Sequence, residues 1–267
     1  MGELADKVAV VVGASRGLGR GVAEAFLDAG ASVVAVARDP QPLANLPART
    51  PNLQLVAADA SDPVVAGRVL GQYNPQIVAL VAGAAPLLRP IHHHTWETFS
   101  SNWQTDVRMA FHWVRESLLL PLRPGSSVIV MSSGAAILGS PLSGGYAGAK
   151  ATQRFIADYA SQEAQRSKLG IRFTAVLPKL TPATELGRPA VAAYAARLGL
   201  GEDEYLRRLG EPVTPEIAGA AFVRLAVDGK NDDAVAYMLT GNGLQPLPDQ
   251  SQTERPRVPA TAVKEEA

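Results

Sequence analysis

An alternation along the chain constrains the fold more than any other feature. Short apolar runs rich in Val, Ala and Ile recur at Lys7–Val12, Ser32–Ala37, Leu53–Ala57, Ile77–Ala82, Val128–Met131 and Arg172–Leu177, with longer helix-period segments between most of them. Runs without polar alternation are what strands buried on both faces require. Strand, helix and parallel strand in repeated succession, joined by right-handed crossovers, give a doubly wound sheet. The fold class is therefore α/β, with a parallel sheet of about seven strands and helices on both faces.

The intervening helices carry their own signals. From Trp96, apolar residues fall at Phe99, Trp103, Val107, Phe111, Val114 and Leu118, a spacing that predicts one helix of roughly six turns, with Thr95 as N-cap and Pro121 just past its end. A second helix spans about Gly145 to Arg166, with Ala147, Ala151, Phe155 and Tyr159 four apart. Thr214-Pro215-Glu216 pairs an N-cap with Pro at the first helical position and opens a helix to about Val227, ahead of a last strand near Ala236–Leu239. Leu180–Gly210 is polar and helix-prone, interrupted by Pro182 and Pro189. It leaves the carboxyl edge of the sheet, where ligands of such sheets bind, and is expected to act as a lid. One domain is expected over residues 1–247. The last 20 residues, from Pro248, hold three prolines and seven charged side chains with almost nothing apolar, and predict a disordered tail.

Composition removes several classes of function. With 25 Lys and Arg against 25 Asp and Glu, the net charge is zero, so no nucleic-acid partner is expected. The absence of cysteine removes disulfides, thiolate nucleophiles and cysteine-ligated zinc. The N-terminus shows no basic segment followed by an apolar one, Asp6 breaks the acylation pattern that Gly2 would open, and no apolar run reaches membrane-spanning length. A cytoplasmic location without a membrane partner is the expectation. His92-His93-His94 invites a metal reading, but consecutive loop histidines point in different directions and no carboxylate set accompanies them, so no metal is expected. They belong near the rim where the substrate loop begins.

The first loop, Gly13-Ala14-Ser15-Arg16-Gly17-Leu18-Gly19, lies between a strand and a helix running to about Ala29. Glycines there let the backbone turn tightly and approach a pyrophosphate resting on the helix N-terminus, which makes Gly13, Ser15, Arg16, Gly17, Leu18 and Gly19 candidate dinucleotide contacts. The second strand ends Val36-Ala37-Arg38, where an acid would favour the free 2′-hydroxyl of NAD and an arginine accommodates the 2′-phosphate of NADP. Arg16 and Arg38 together form a candidate clamp for that phosphate, so NADP(H) is the favoured cofactor. Asp39, one step past the strand and beside Pro40, reads as a turn residue.

Tyr146 and Lys150 stand four apart near the start of a helix and share a face. A neighbouring ammonium favours the phenolate by Coulomb attraction, so such a pair can move a proton. Thirteen residues upstream, Ser133 at the carboxyl end of the fifth strand offers a hydroxyl to hold a substrate oxygen. Ser140 and Ser143, between them, line the pocket or make turns.

Over about residues 5–245 the chain resembles the short-chain dehydrogenase/reductase family. The resemblance rests on the Gly13/Gly17/Gly19 spacing, Asp59 after the third strand, Ser133, and Tyr146-Ala147-Gly148-Ala149-Lys150. It implies a Rossmann-type fold, with Tyr146 as general acid/base toward the substrate oxygen, Ser133 positioning that oxygen, and Lys150 binding the nicotinamide ribose and favouring the phenolate. It further implies that Asp59 and Ala60 contact the adenine, that Ala82, Gly83 and Pro178 border the cofactor, and that Thr184 or Thr181 is the hydroxyl nearest the carboxamide. The partner would be a small carbonyl or alcohol, and the helices at Trp96–Leu118 and Tyr146–Arg166 would pair with their copies in a homodimer or homotetramer. The chain departs from the family pattern at four places. Val12 replaces a threonine before the first glycine, Leu80-Val81-Ala82-Gly83 replaces Asn-Asn-Ala-Gly, and Lys179 replaces a glycine after Pro178. Asp106 stands where the family has a fourth catalytic residue, an asparagine whose backbone carbonyl helps hold a relay water; flanking the apolar stripe, a partly buried carboxylate there calls for a partner. These features together read as an NADPH-dependent reductase of a ketone or related carbonyl, or the reverse alcohol oxidation. Non-redox or imine/enone chemistry on the same fold, and a catalytically silent NADP-binding regulator, are the alternatives.

Overall fold

The structure is a computed structural model that describes residues 2–39, 41, 51–182, 184–228 and 234–248. The expected tail therefore lies outside the described residues from 249 onward. The chain runs β1 (Val8–Val12), α1 (Gly17–Asp28), β2 (Ser32–Ala37), β3 (Leu53–Ala57), α2 (Pro63–Tyr73), β4 (Ile77–Leu80), α3 (Trp96–Asn102), α4 (Arg108–Leu119), β5 (Ser127–Met131), α5 (Ala135–Leu138) and α6 (Gly144–Arg166). It continues through β6 (Arg172–Pro178), α7 (Gly187–Arg197), α8 (Glu202–Leu209), α9 (Pro215–Asp228), β7 (Ala236–Thr240) and β8 (Gly243–Pro246).

The strands form one sheet in the order β3-β2-β1-β4-β5-β6-β7-β8. Every neighbouring pair is parallel except β7 with β8. The apolar runs are strands because both of their faces are covered: in β1, Val10 and Val12 pack into one core cluster and Ala9 and Val11 into the other. Trp113 of α4 and Phe173 anchor the first cluster, Phe26 of α1 and Phe222 of α9 the second. The strand order reverses between β1 and β4, which opens a crevice beyond their carboxyl ends.

The sheet has eight strands rather than about seven. The hairpin pairs Thr240 with Gly243 across Gly241-Asn242, with Gly243 at φ +95°, and this turn chemistry was the available signal for the extra antiparallel strand. Thr95 caps α3 in a reciprocal box with Thr98. The single helix predicted from Trp96 is interrupted, however. A π-helical turn over Trp103–Val107 separates α3 from α4, and one inserted residue is invisible to a three- and four-residue spacing. The turn rotates the buried face onto Asn102, Asp106, Ala110 and Trp113, leaving Trp96, Trp103 and Phe111 exposed. In α6, likewise, the core takes Gln153, Ala157, Ala160 and Ala164 while Phe155 and Tyr159 stack on each other in the open. Pro189 does not interrupt the lid; it sits in the first turn of α7.

Candidate active site

The loop after β1 is shaped by what its glycines must avoid. Gly13 adopts φ +90°, and a Cβ there would lie 2.5 Å from the Ala82 nitrogen; a Cβ on Gly19 would strike the Gly13 carbonyl oxygen at 2.0 Å. The Val81 and Ala82 N–H groups both donate to the Val12 carbonyl, each at 2.9 Å, so the loops after β1 and β4 are sewn together at the crevice. Helix α1 starts beneath with Arg16 as N-cap and no side chain bonding its first N–H groups. This free amide cradle suits the phosphates of a dinucleotide. A Cβ on Gly17 would lie 3.6 Å from the Thr184 methyl, so this loop approaches the segment that follows β6.

Ser15 is half-buried and Leu18 packs against the α1 side core. Arg16 donates to the Glu185 carboxylate of the lid at 2.5 Å, with both side chains exposed. Arg38 is exposed beside Asp59, whose carboxyl is held below the usual range by hydrogen bonds from the Ser61 N–H and hydroxyl and, less strongly, by Arg38 and Arg108. The Ala60 carbonyl is fixed by the Trp113 indole N–H at 3.1 Å. Asp39 accepts from the Gln41 N–H at 3.1 Å, the turn role read from the sequence.

On the other side of the crevice, Ser133 and Tyr146 are half-buried and Lys150 is buried. The Ser133 hydroxyl accepts from the Ala135 N–H at 3.2 Å, and Lys150 Nζ lies 5.5 Å from the centre of the Tyr146 ring. Lys150 itself is tightly held. It donates to Gln153 Oε1 at 2.8 Å and to the Met131 carbonyl at 3.4 Å, and stands 3.2 Å from Asp106 Oδ2. Asp106 is fully rather than partly buried, at 1 % exposure, and Lys150 is the partner its burial calls for. Its other carboxylate oxygen accepts from the Ala84 N–H and the Thr105 hydroxyl, and Asn102 donates to the Ala84 carbonyl, so the peptide after Gly83 is held at both ends. Gly83 backs directly onto the ion pair: a Cβ there would lie 3.3 Å from both Asp106 Oδ2 and Lys150 Nζ.

Three residues in contact with the candidate site were missed by sequence reasoning. Ser132, next to Ser133, donates to the Lys150 carbonyl at 2.7 Å and ties the end of β5 to α6. Gln153 and Glu185 carried no motif signal. At the lid, Thr181 and Thr184 are buried, with hydroxyls 3.2 Å apart and Thr184 donating to the Thr181 carbonyl; the Pro178 carbonyl accepts from the Gly134 N–H, and Lys179 is exposed. Ser140 and Ser143 share the Tyr194 hydroxyl, so they fasten the loop before α6 to α7 as well as making turns. Burial, and then Tyr194, hold the nearby Tyr205 phenol above its ordinary range. His94 bonds Thr98 through Nδ1, and the described residues contain no group of three metal-ligating side chains.

A glycine-rich loop at the switch point of a doubly wound parallel sheet, with a Ser, Tyr and Lys set beyond its strand ends, is the arrangement of a Rossmann-type fold. The family's sequence model, described as short chain dehydrogenase, matches residues 7–195, and the chain belongs to that family. It is 32 % identical over 132 residues to human L-xylulose reductase, covering 48 % of this chain and 54 % of that protein. It is 32 % identical over 127 residues to pig carbonyl reductase [NADPH] 2, covering 46 % and 52 %. The chain thus spans about half the length of these two relatives. An uncharacterized oxidoreductase of Mycobacterium tuberculosis is 33 % identical over 259 residues, 92 % of each chain. No helix among the described residues is long and apolar enough to cross a membrane.

Proposed function

We propose that this chain is an NADPH-dependent oxidoreductase that reduces a ketone or related carbonyl, or runs the reverse alcohol oxidation. The observation that carries the reading is Lys150 Nζ held 5.5 Å from the Tyr146 ring at the mouth of a glycine cradle. When bound, the reduced nicotinamide supplies the hydride that adds to the carbonyl carbon. Tyr146 donates its phenolic proton to the substrate oxygen, leaving a phenolate that the Lys150 ammonium stabilises by Coulomb attraction. Ser133 donates a hydrogen bond to the same oxygen and fixes its direction.

The cofactor would lie with its phosphates on the N–H groups of Gly17, Leu18 and Gly19, its adenine beside Asp59 and Ala60, and its carboxamide near Thr184 or Thr181. Arg16 and Arg38 would take the 2′-phosphate, and the similarity to the pig carbonyl reductase [NADPH] 2 supports this choice of nucleotide. The exposed aromatic faces of α3–α4 and α6, with Trp103, Phe111, Phe155 and Tyr159, would pair with a second copy in a homodimer or homotetramer.

The test is NADPH consumption over a panel of ketones, enones and imines, with NADH as the cofactor control. Turnover that requires NADPH and falls about 10²- to 10⁴-fold in Tyr146→Phe is expected. NADPH binding without consumption by any panel member would overturn the reductase reading in favour of a silent regulator, and turnover of imines or enones alone would redirect it.

A further inference from the structure

Gln153 has no place in the proposed chemistry, yet it is fully buried, at 0 % exposure, in the wall of the site. A side chain as polar as this survives burial only when both ends of its amide are bonded. Both are. Oε1 accepts from Lys150 Nζ at 2.8 Å, and Nε2 donates to the Asp106 backbone carbonyl at 2.9 Å. The amide cannot be turned around. An ammonium is only a donor and a carbonyl only an acceptor, so oxygen must face Lys150 and nitrogen Asp106.

We infer that Gln153 is a positioning residue for Lys150, a rigid bridge from the ammonium to the π turn that carries Asp106. The inference rests on the reading of the site as a reductase. An ammonium has three N–H groups. Gln153 and Met131 engage two of them. The Asp106 carboxylate is close in charge, at 3.2 Å, but its Oδ2 accepts no aligned hydrogen bond. The lysine is therefore aimed by the amide and neutralised by the carboxylate, and one N–H is left for the nucleotide. The same bridge changes what the Asp106 carbonyl does. On that carbonyl this chain places an amide nitrogen, which holds the distance between helix and lysine.

The experiment compares wild type, Gln153→Leu, Lys150→Met and the double variant, with Gln153→Met as a second replacement should leucine prevent folding. NADPH affinity is read by fluorescence titration, and turnover with the best ketone of the panel. Gln153→Leu is expected to lower kcat about tenfold or more and to weaken NADPH binding several-fold, leaving KM for the ketone unchanged. In the Lys150→Met background the same change is expected to add nothing, since Gln153 acts through that lysine. Unchanged kcat and NADPH affinity, or losses that multiply in the double variant, would overturn the inference and make Gln153 a structural plug. A wild type that binds no nicotinamide nucleotide would sink the reductase reading instead. In that case thermal unfolding of the same four proteins decides the bridge, with strictly additive shifts overturning it and coupled shifts supporting it.

Discussion

The two walls of the crevice are built on opposite plans. Behind Tyr146, Lys150, Asp106 and Gln153 form a dry network with 4, 1 and 0 % exposure, in which charge is matched by charge and both ends of the one amide are bonded. On the side of the glycine loop, Arg16, Arg38, Asp59 and Glu185 are exposed, and the Arg16–Glu185 pair stands at the solvent surface. A buried pair is expensive to break because the survivor keeps its desolvation cost, whereas an exposed pair is worth little and exchanges partners readily. One wall is thus suited to fixing the reacting groups, the other to capturing and releasing a charged ligand.

Breaking the buried wall should have the largest effect. Asp106→Ala strands Lys150 as an uncompensated buried charge and is expected to cost about 3–5 kcal/mol of stability in urea unfolding. A loss below about 1 kcal/mol, the range of exposed pairs, would erase the contrast between the walls. Asp106→Asn, which keeps the backbone and the hydrogen bond from Ala84 while removing the charge, should be milder. If it leaves turnover and its pH profile unchanged, the carboxylate has no chemical role.

On the exposed wall, Arg16→Ala is expected to weaken NADPH binding about ten- to hundredfold, the worth of a charge-assisted hydrogen bond, with NADH affinity nearly unchanged. Equal losses for both nucleotides would show that Arg16 serves the loop and not the 2′-phosphate. Glu185→Gln, which frees Arg16, should strengthen NADPH binding by less than about threefold, because the exposed pair it removes is weak. A weakening there would mean that the lid contact itself holds the cofactor.

The smallest effect concerns His112 of α4. Burial first, then Arg108 and Arg115, hold its imidazole below the ordinary value of 6.5. Between the lowered value and 6.5 the unfolded chain binds more protons, so this contribution is full above 6.5 and is lost as pH falls through the folded value. His112→Asn is expected to flatten the fall in urea midpoint between about pH 7 and pH 5. A profile unchanged from wild type would remove His112 from the account.

The same contrast explains what the sequence made legible. Strand positions and the glycine loop were readable because burial on two faces and a fixed loop–helix geometry leave few alternatives, and the proximity of Tyr146 and Lys150 because residues four apart on a helix share a face. The break at Trp103–Val107 was not, since an apolar spacing does not register a single added residue, and with it went the full burial of Asp106. Gln153 reads in sequence as an ordinary helix-surface polar residue. Only the approach of α6 to the π turn makes it an internal strut. Glu185 was hidden for a different reason: an exposed ion pair between a loop and a lid 169 positions apart leaves no local pattern.

The most direct test of the central claim follows the hydrogen itself. NADPH deuterated at the transferable position of its nicotinamide is incubated with the panel's best ketone, using wild type and Tyr146→Phe, and the alcohol product is analysed by mass spectrometry and NMR. The account predicts one deuterium on the carbinol carbon with wild type, and alcohol formation lowered about 10²- to 10⁴-fold in the variant. An alcohol without deuterium, or a Tyr146→Phe protein that turns over like wild type, would contradict it.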